Sequence, residues 1–354
     1  MLLCLLALCA PSWASFDQAQ RAAANGNYRE VVIVLTAMLE DEALEPDQKV
    51  ISYANRGLAY SLLNAYALAR RDLQAALSLN PDHPLSLNHM GLLAEQLDKD
   101  YVLAASFYQQ AVEQRFAASQ VNLARLYRIG RGVRKNAQRS FDLYRQAADA
   151  DYHMAFAPLG RIYTSGEGAP QNLERAFELF QRASESGVIT ANYHLGVAYE
   201  KGRGVKQNIG QAKRNYQIAA VQGHGEAQNA LGYLFRRGLG VEQDFIEAAN
   251  WYQLAVDQGV PDAMNRLAWL LATCPIEKIC NGEAAVVLAS QAIFYDETPG
   301  RLDSLAAGYA RLGKFDEAIK TQKRVLQLLP SDSQKRLSYT QRLEQYRLGT
   351  WMQL

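Results

Sequence analysis

Residues 191–226 read ANYHLGVAYEKGRGVKQNIGQAKRNYQIAAVQGHGE, and the pattern in that stretch recurs every 36 residues, opening at Ser119, Ala155, Ala191 and Ala227, with a fifth copy starting at Ala263. The fifth position of each copy is leucine (Leu123, Leu159, Leu195, Leu231, Leu267) and the sixth is small (Ala124, Gly160, Gly196, Gly232, Ala268). An aromatic stands at the ninth (Tyr127, Tyr163, Tyr199, Phe235), followed by two glycines one residue apart (Gly130/Gly132, Gly166/Gly168, Gly202/Gly204, Gly238/Gly240). A fixed period of this size predicts a solenoid, because a unit this small buries its apolar face only by stacking on its neighbours.

Within one period the pattern predicts two helices. The first, over Ala191–Glu200, has small and apolar residues at helical spacing and stops at the glycines, which suit the left-handed residue that commonly closes a helix. Asn136, Asn172, Asn208 and Asp244 at the eighteenth position are good N-caps for the second helix, with Gln211 and Glu247 placed to complete capping boxes. Ala212, Tyr216 and Ala219, like Ala248, Tyr252 and Ala255, share one helix face and are the expected packing surface. Gly187, Gly223 and Gly259 end the unit, and Asp151 takes that place in the first copy.

This wording, A-x-x-x-L-G-x-x-Y-x-x-G-x-G-V followed by N/D-x-x-x-A-x-x-x-Y-x-x-A-x-x-x-G, resembles the Sel1-like repeat, a relative of the tetratricopeptide repeat, without a gap from 119 to 262. Ala169 replaces the valine in the second copy. The flanks resemble the tetratricopeptide pattern itself. Gly57, Tyr60, Ala69, Ala76 and Pro81 carry it over 50–83; Gly91, Ala104, Tyr108 and Ala111 carry it over 84–117, one insertion out of phase. Leu302, Leu305, Tyr309, Gly313, Phe315, Ala318 and Pro330 carry it over 299–332. Ala22–Leu39, with Gly26-Asn27-Tyr28, reads as a weaker opening hairpin, and Asp332–Leu354 as a polar capping helix. The expected architecture is an all-α solenoid, a superhelix of about nine antiparallel hairpins. Its segments are a leader (1–14), tetratricopeptide-like hairpins (15–117), four Sel1-like repeats (118–262), a divergent fifth repeat (263–298) and a terminal hairpin with its cap (299–354).

Leu2–Ala10 is apolar, and Ser12-Trp13-Ala14 before Ser15 resembles a small-x-small cleavage site, so a secretory signal peptide cut after Ala14 is expected, although no charged residues precede the apolar run. Nine apolar residues are too few to span a bilayer, which takes about 20. Cys4 and Cys9 would leave with the leader, and Cys274 and Cys280 would remain, in the loop that replaces the glycine turn of the fifth repeat. An even pair in one loop of an exported chain reads as a disulfide; free thiols or a redox or metal pair are the alternatives. The expected location is periplasmic or secreted.

The chain offers little catalytic chemistry. Its net charge is +1, which gives no reason to expect a nucleic acid partner. The five histidines, His83, His89, His153, His194 and His224, are scattered. Neither a nucleophile elbow nor a phosphate-binding loop is present, and the glycine pairs recur too regularly to be a dinucleotide fingerprint. No catalytic residue, cofactor or metal is expected.

The family resemblance implies that positions 3, 7, 10 and 11 of each first helix point into a concave groove. Those positions hold Arg125 and Arg128, then Arg161 and Thr164, then Tyr193, Glu200 and Lys201, then Asn229, Tyr233, Arg236 and Arg237, then Asn265 and Trp269. Aromatic, amide and guanidinium groups are the mix enriched at recognition hot spots. The N-terminal positions Ala54, Leu58, Asn88, Leu92 and Glu95 lack the paired Lys and Asn that would hold a C-terminal carboxylate. The expectation is a non-enzymatic scaffold that holds protein segments of an envelope complex. A glycan- or peptidoglycan-binding or -processing protein using the same groove is the alternative, with Glu200 the one acid in its centre.

Overall fold

The computed structural model describes residues 13–330 and 332–351, and every regular element among them is helical. The expected leader therefore lies outside the described residues, except for Trp13 and Ala14, which open the first helix. The chain divides into two units, 1–172 and 173–354. The first holds α1 (Trp13–Ala24), α2 (Tyr28–Leu39), α3 (Pro46–Leu62), α4 (Tyr66–Leu79), α5 (Pro84–Gln96), α6 (Tyr101–Glu113), α7 (Ala117–Ile129), α8 (Ala137–Asp149) and α9 (Phe156–Ser165). The second holds α10 (Leu173–Glu185), α11 (Ile189–Lys201), α12 (Ile209–Val221), α13 (Gly225–Arg237), α14 (Phe245–Asp257), α15 (Pro261–Thr273), α16 (Gly282–Tyr295), α17 (Pro299–Arg311), α18 (Phe315–Leu328) and α19 (Arg336–Arg347). Within each unit successive helices pack as hairpins, and each hairpin packs on the next, as in an α-solenoid.

The core follows the periodic positions. Ala212, Tyr216 and Ala219 of α12 and Ala248, Tyr252 and Ala255 of α14 are all buried. Gly196 and Gly232 on the preceding helices lie flat against the Tyr216 and Tyr252 rings, and Gly91 lies likewise against Tyr108. A tyrosine enclosed in this way withdraws roughly 150–250 Å² from water, worth about 4–6 kcal/mol of transfer free energy as an upper figure.

The turns are built more fully than capping rules alone suggest. Gly202 and Gly204 both take positive φ, 67° and 69°, and the second sits directly on the backbone of Leu173, where a side chain has no room. Asn136, Asn208 and Asp244 cap their helices as expected, accepting from the amides of Arg139, Gln211 and Glu247. The predicted boxes through Gln211 and Glu247 have no free amide to use. Asn208 N–H already donates to Tyr199 O at 2.9 Å, and Asp244 N–H to Phe235 O at 3.0 Å. In the second, third and fourth copies the residue before the cap position adds a second tie: Gln171, Gln207 and Gln243 donate from Nε2 to the carbonyls of Thr164, Glu200 and Arg236. A reciprocal capping box does occur at α3, between Glu45 and Gln48.

At the ends of the chain, α1 and α2 form the predicted opening hairpin around Gly26, and α19 buries Tyr339, Leu343 and Tyr346 while Leu337 stays exposed among its polar residues. Inside the 50–83 hairpin, Arg56 and Asp72 form a buried bidentate pair, with Nη1 of Arg56 donating to Thr36. Cys274 and Cys280 are disulfide-linked, Cα–Cα 5.6 Å, across a short 3-10 turn at Glu277–Ile279.

Candidate binding groove

In the second unit the first helices of successive repeats place four of the expected groove residues, Tyr193, Lys201, Asn229 and Tyr233, around one cavity of about 590 Å³. Tyr193 is held by stacking on His224, centroids 4.9 Å apart and planes 21° from parallel, and it stands 6.0 Å from the Tyr216 ring. Burial, and then the charges of Glu226 and Glu200, raise its pKa, so its hydroxyl is a neutral donor. Tyr233 lies across from it, with the Arg266 guanidinium 5.0 Å and the Arg236 guanidinium 5.9 Å from its ring centroid.

Most charges at this cavity are paired. Glu200 accepts from Tyr216 at 2.6 Å and from Lys201 at 2.5 Å. Arg301, nearly enclosed, donates to the Ala292 carbonyl at 2.7 Å and pairs with Asp262 and Asp296. Nδ1 of His224 accepts from the Ala227 amide at 3.3 Å, with the Glu226 carboxylate 3.4 Å away. Arg266 is the lining cation that has no carboxylate partner among the described residues. Asn229 is 8 % exposed, and its Oδ1 is buried without a hydrogen-bond partner.

A second cavity, about 260 Å³, shares Arg266 and is lined by the expected Arg236, Asn265 and Trp269. Arg342 stacks over Trp269 at 5.5 Å and pairs with Asp303 at 2.8 Å. The Asp303 carboxyl is buried, which raises its pKa, while Arg342 and Gln322 pull it back. Arg237, by contrast, is exposed and lines neither cavity.

The expected residues of the first unit are spent differently. Arg125 pairs with Glu95 at 2.6 Å, and Glu95 also accepts from Tyr108 at 3.1 Å. Arg128 lies beside the buried Tyr144, whose burial-raised pKa its charge opposes, and Arg161 is exposed. Asn88 is buried and accepts from Ser119 and Asn122, so it belongs to the packing between hairpins.

Sequence reading missed Arg266, which is position 4 of its copy, Glu226 and Asp262, which are the last positions of theirs, and Arg301, which lies in the terminal hairpin beyond the repeats whose groove positions were read. Arg342 comes from α19, a helix expected only to cap. The charge of these residues was visible; their direction was not. No group of three or more His, Cys, Asp or Glu among the described residues could hold a metal ion.

The Sel1 repeat model matches residues 85–116, 117–152, 159–188, 189–224 and 225–260, and a tetratricopeptide repeat model matches 50–83. The 85–116 hairpin, read from its sequence as tetratricopeptide-like, thus matches the Sel1 model instead. Among solved structures, a Sel1 repeat protein from Oxalobacter formigenes is similar at 29% identity and TM-score 0.62, over 68% of this chain and 96% of that one. The protective antigen c5321 of uropathogenic Escherichia coli, which displays an SLR fold, is similar in fold at 21% identity and TM-score 0.62, over 87% of this chain and 71% of its own. No curated protein matches in sequence.

Proposed function

Since the chain is a Sel1-repeat protein with a tetratricopeptide repeat ahead of its array, we propose that it is a scaffold of the cell envelope whose second unit holds a segment of a partner protein between Tyr193 and Tyr233. Repeats of this family are generally protein-interaction scaffolds and typically non-enzymatic. One observation carries the reading for this chain: Tyr193, Asn229 and Tyr233, from two successive repeats, line one 590 Å³ cavity in which a buried amide oxygen lacks a partner. Rigid aromatics with adaptable polar neighbours are the make-up of recognition hot spots. Glycan processing in the same groove would need an acid–base pair, and Glu200 is already engaged by Tyr216 and Lys201.

The envelope assignment is supported by the apolar leader followed by a small-x-small site and by the Cys274–Cys280 disulfide, a bond that persists in oxidising compartments. No helix among the described residues is long and apolar enough to cross a membrane.

A photo-crosslinking residue at position 201, on the rim of the cavity, tests the groove against one at exposed position 214 on α12. A discrete protein adduct from 201 that disappears in a folded Tyr193→Ala/Tyr233→Ala variant supports the reading. Adducts from 214 that persist in that variant move the interface elsewhere. Cells in which Cys274 and Cys280 are both alkylated without prior reduction sink the envelope assignment.

A further inference from the structure

Several arginines drawn into the hairpins of this chain have a carboxylate supplied by the chain itself. Arg56 has Asp72, Arg125 has Glu95, Arg301 has Asp262 and Asp296, and Arg342 has Asp303. Arg236 and Arg266 differ. Both are half-buried, they come from successive repeats, and they flank the Tyr233 ring at 5.9 and 5.0 Å; neither has a carboxylate partner among the described residues. Both line the 260 Å³ cavity beside Trp269, and Arg266 also reaches the larger one. The one carboxylate at the smaller cavity, Asp303, is closed off by Arg342 and Gln322.

Two partly desolvated guanidiniums that line one cavity without a counter-ion repel each other, and a planar carboxylate entering that cavity would be drawn to both by charge-assisted hydrogen bonding. We propose that Arg236 and Arg266 receive an aspartate or glutamate side chain of the bound segment, so that the partner recognised by the second unit is an acidic peptide stretch. The proposal rests on the groove reading above and names its specificity. A peptide fits better than an inorganic anion because Asn229 and Asn265, at the same position of successive repeats, each leave an amide oxygen without a donor. A χ2 rotation toward the cavity would bring either oxygen to a backbone N–H of an extended chain. Phosphate and sulfate carry no N–H to offer.

The test is a random dodecapeptide library with blocked termini, panned on the intact oxidised protein, followed by anisotropy titration of a selected peptide. The expected result is that selected peptides share an Asp or Glu. Replacing that acid by its amide should weaken binding at least tenfold on the wild type and change little on an Arg236→Gln/Arg266→Gln variant, because the acid and the arginines are the same interaction. Binding should also weaken steeply with salt. Selected peptides without an acid, or an acid whose replacement costs the same on both proteins, would overturn the carboxylate site while leaving the groove reading standing. No selected peptide on the wild type, or retention of an oligogalacturonate instead, would overturn both. The peptide-side replacement on the wild type keeps the result readable even where the double variant melts early.

Discussion

The Tyr216 hydroxyl donates to Oε2 of Glu200 at 2.6 Å, and one repeat later the same two positions hold Tyr252 and Arg236. Position 10 of the repeat therefore sets what the buried tyrosine of the second helix does. Under glutamate it is a donor, and burial together with that carboxylate raises its pKa strongly. Under arginine, as at Tyr252 and Tyr144, burial again raises the pKa and the guanidinium opposes it. The Tyr252 hydroxyl lies beside Arg236 and Arg266 without a hydrogen bond of good geometry.

The two tyrosines should consequently differ on losing their hydroxyls. Tyr216→Phe removes a bond to a charged acceptor and is expected to cost about 1.5–3 kcal/mol. Tyr252→Phe removes a buried hydroxyl that lies beside two guanidiniums without a well-formed bond, and is expected to cost less than about 1 kcal/mol. Urea unfolding of both variants decides it; equal losses would mean that the Tyr252 hydroxyl is bonded in solution.

The small residue at position 6 is a packing requirement of the same pair. A side chain at Gly196 would run into the Tyr216 ring. The first copy holds Ala124 and Tyr144 at these two positions, both buried. Gly196→Ala should cost about 1–3 kcal/mol, because its methyl would stand closer to the buried Tyr216 ring than carbon atoms pack, and Gly196→Val should cost more. Thermal melts ranking Val no worse than Ala would contradict the close approach.

The hairpins were legible because the signals that set them are local and repeated 36 residues apart: Leu195, Gly196, the Gly202/Gly204 turn, the Asn208 cap. The groove face of Tyr193, Asn229 and Tyr233 came from the family resemblance rather than from the periodicity, and the structure places the three around one cavity. What stayed hidden depends on partners distant in sequence. Arg125 and Arg236 are both groove-position arginines of their repeats, yet Glu95 neutralises the first and no carboxylate among the described residues pairs with the second. Arg342 reaches Trp269 from a helix whose composition says only that it is polar. The capping boxes failed for a further reason: the cap amide is claimed by a carbonyl nine residues earlier, Tyr199 for Asn208.

His89 makes the first unit sensitive to acid. It is 3 % exposed, its Nε2 has no partner, and burial pushes its pKa down to about 4 from 6.5. The folded state thus keeps His89 neutral where the unfolded chain already binds a proton. The contribution is fully present above the unfolded value and is lost as pH falls from 6.5 toward 4, at up to about 1.4 kcal/mol per pH unit. His89→Met removes the titrating group at similar volume. Its stability should fall less between pH 7 and 5 than that of the wild type, measured by urea midpoint at each pH, and parallel curves would show that His89 is protonated in the fold.

The disulfide closes a short loop where the fifth repeat lacks its glycine turn, so its effect should be modest and independent of the groove. Cys274 is buried, which makes reduction a cleaner perturbation than substitution by serine. Closing a ring of this size stabilises by about 2 kcal/mol on the chain-entropy model. Treating the oxidised protein with a phosphine reductant should lower its urea stability by roughly that amount. The far-UV helical signal should be unchanged, because α15 and α16 are held by the buried Leu267, Ala268, Leu288 and Ala289. A Cys274→Ala/Cys280→Ala variant should match the reduced protein and should not respond to the reductant. If reduction instead removed helical signal, the Cys274–Cys280 link would be maintaining the hairpin itself rather than stapling a loop on a formed one.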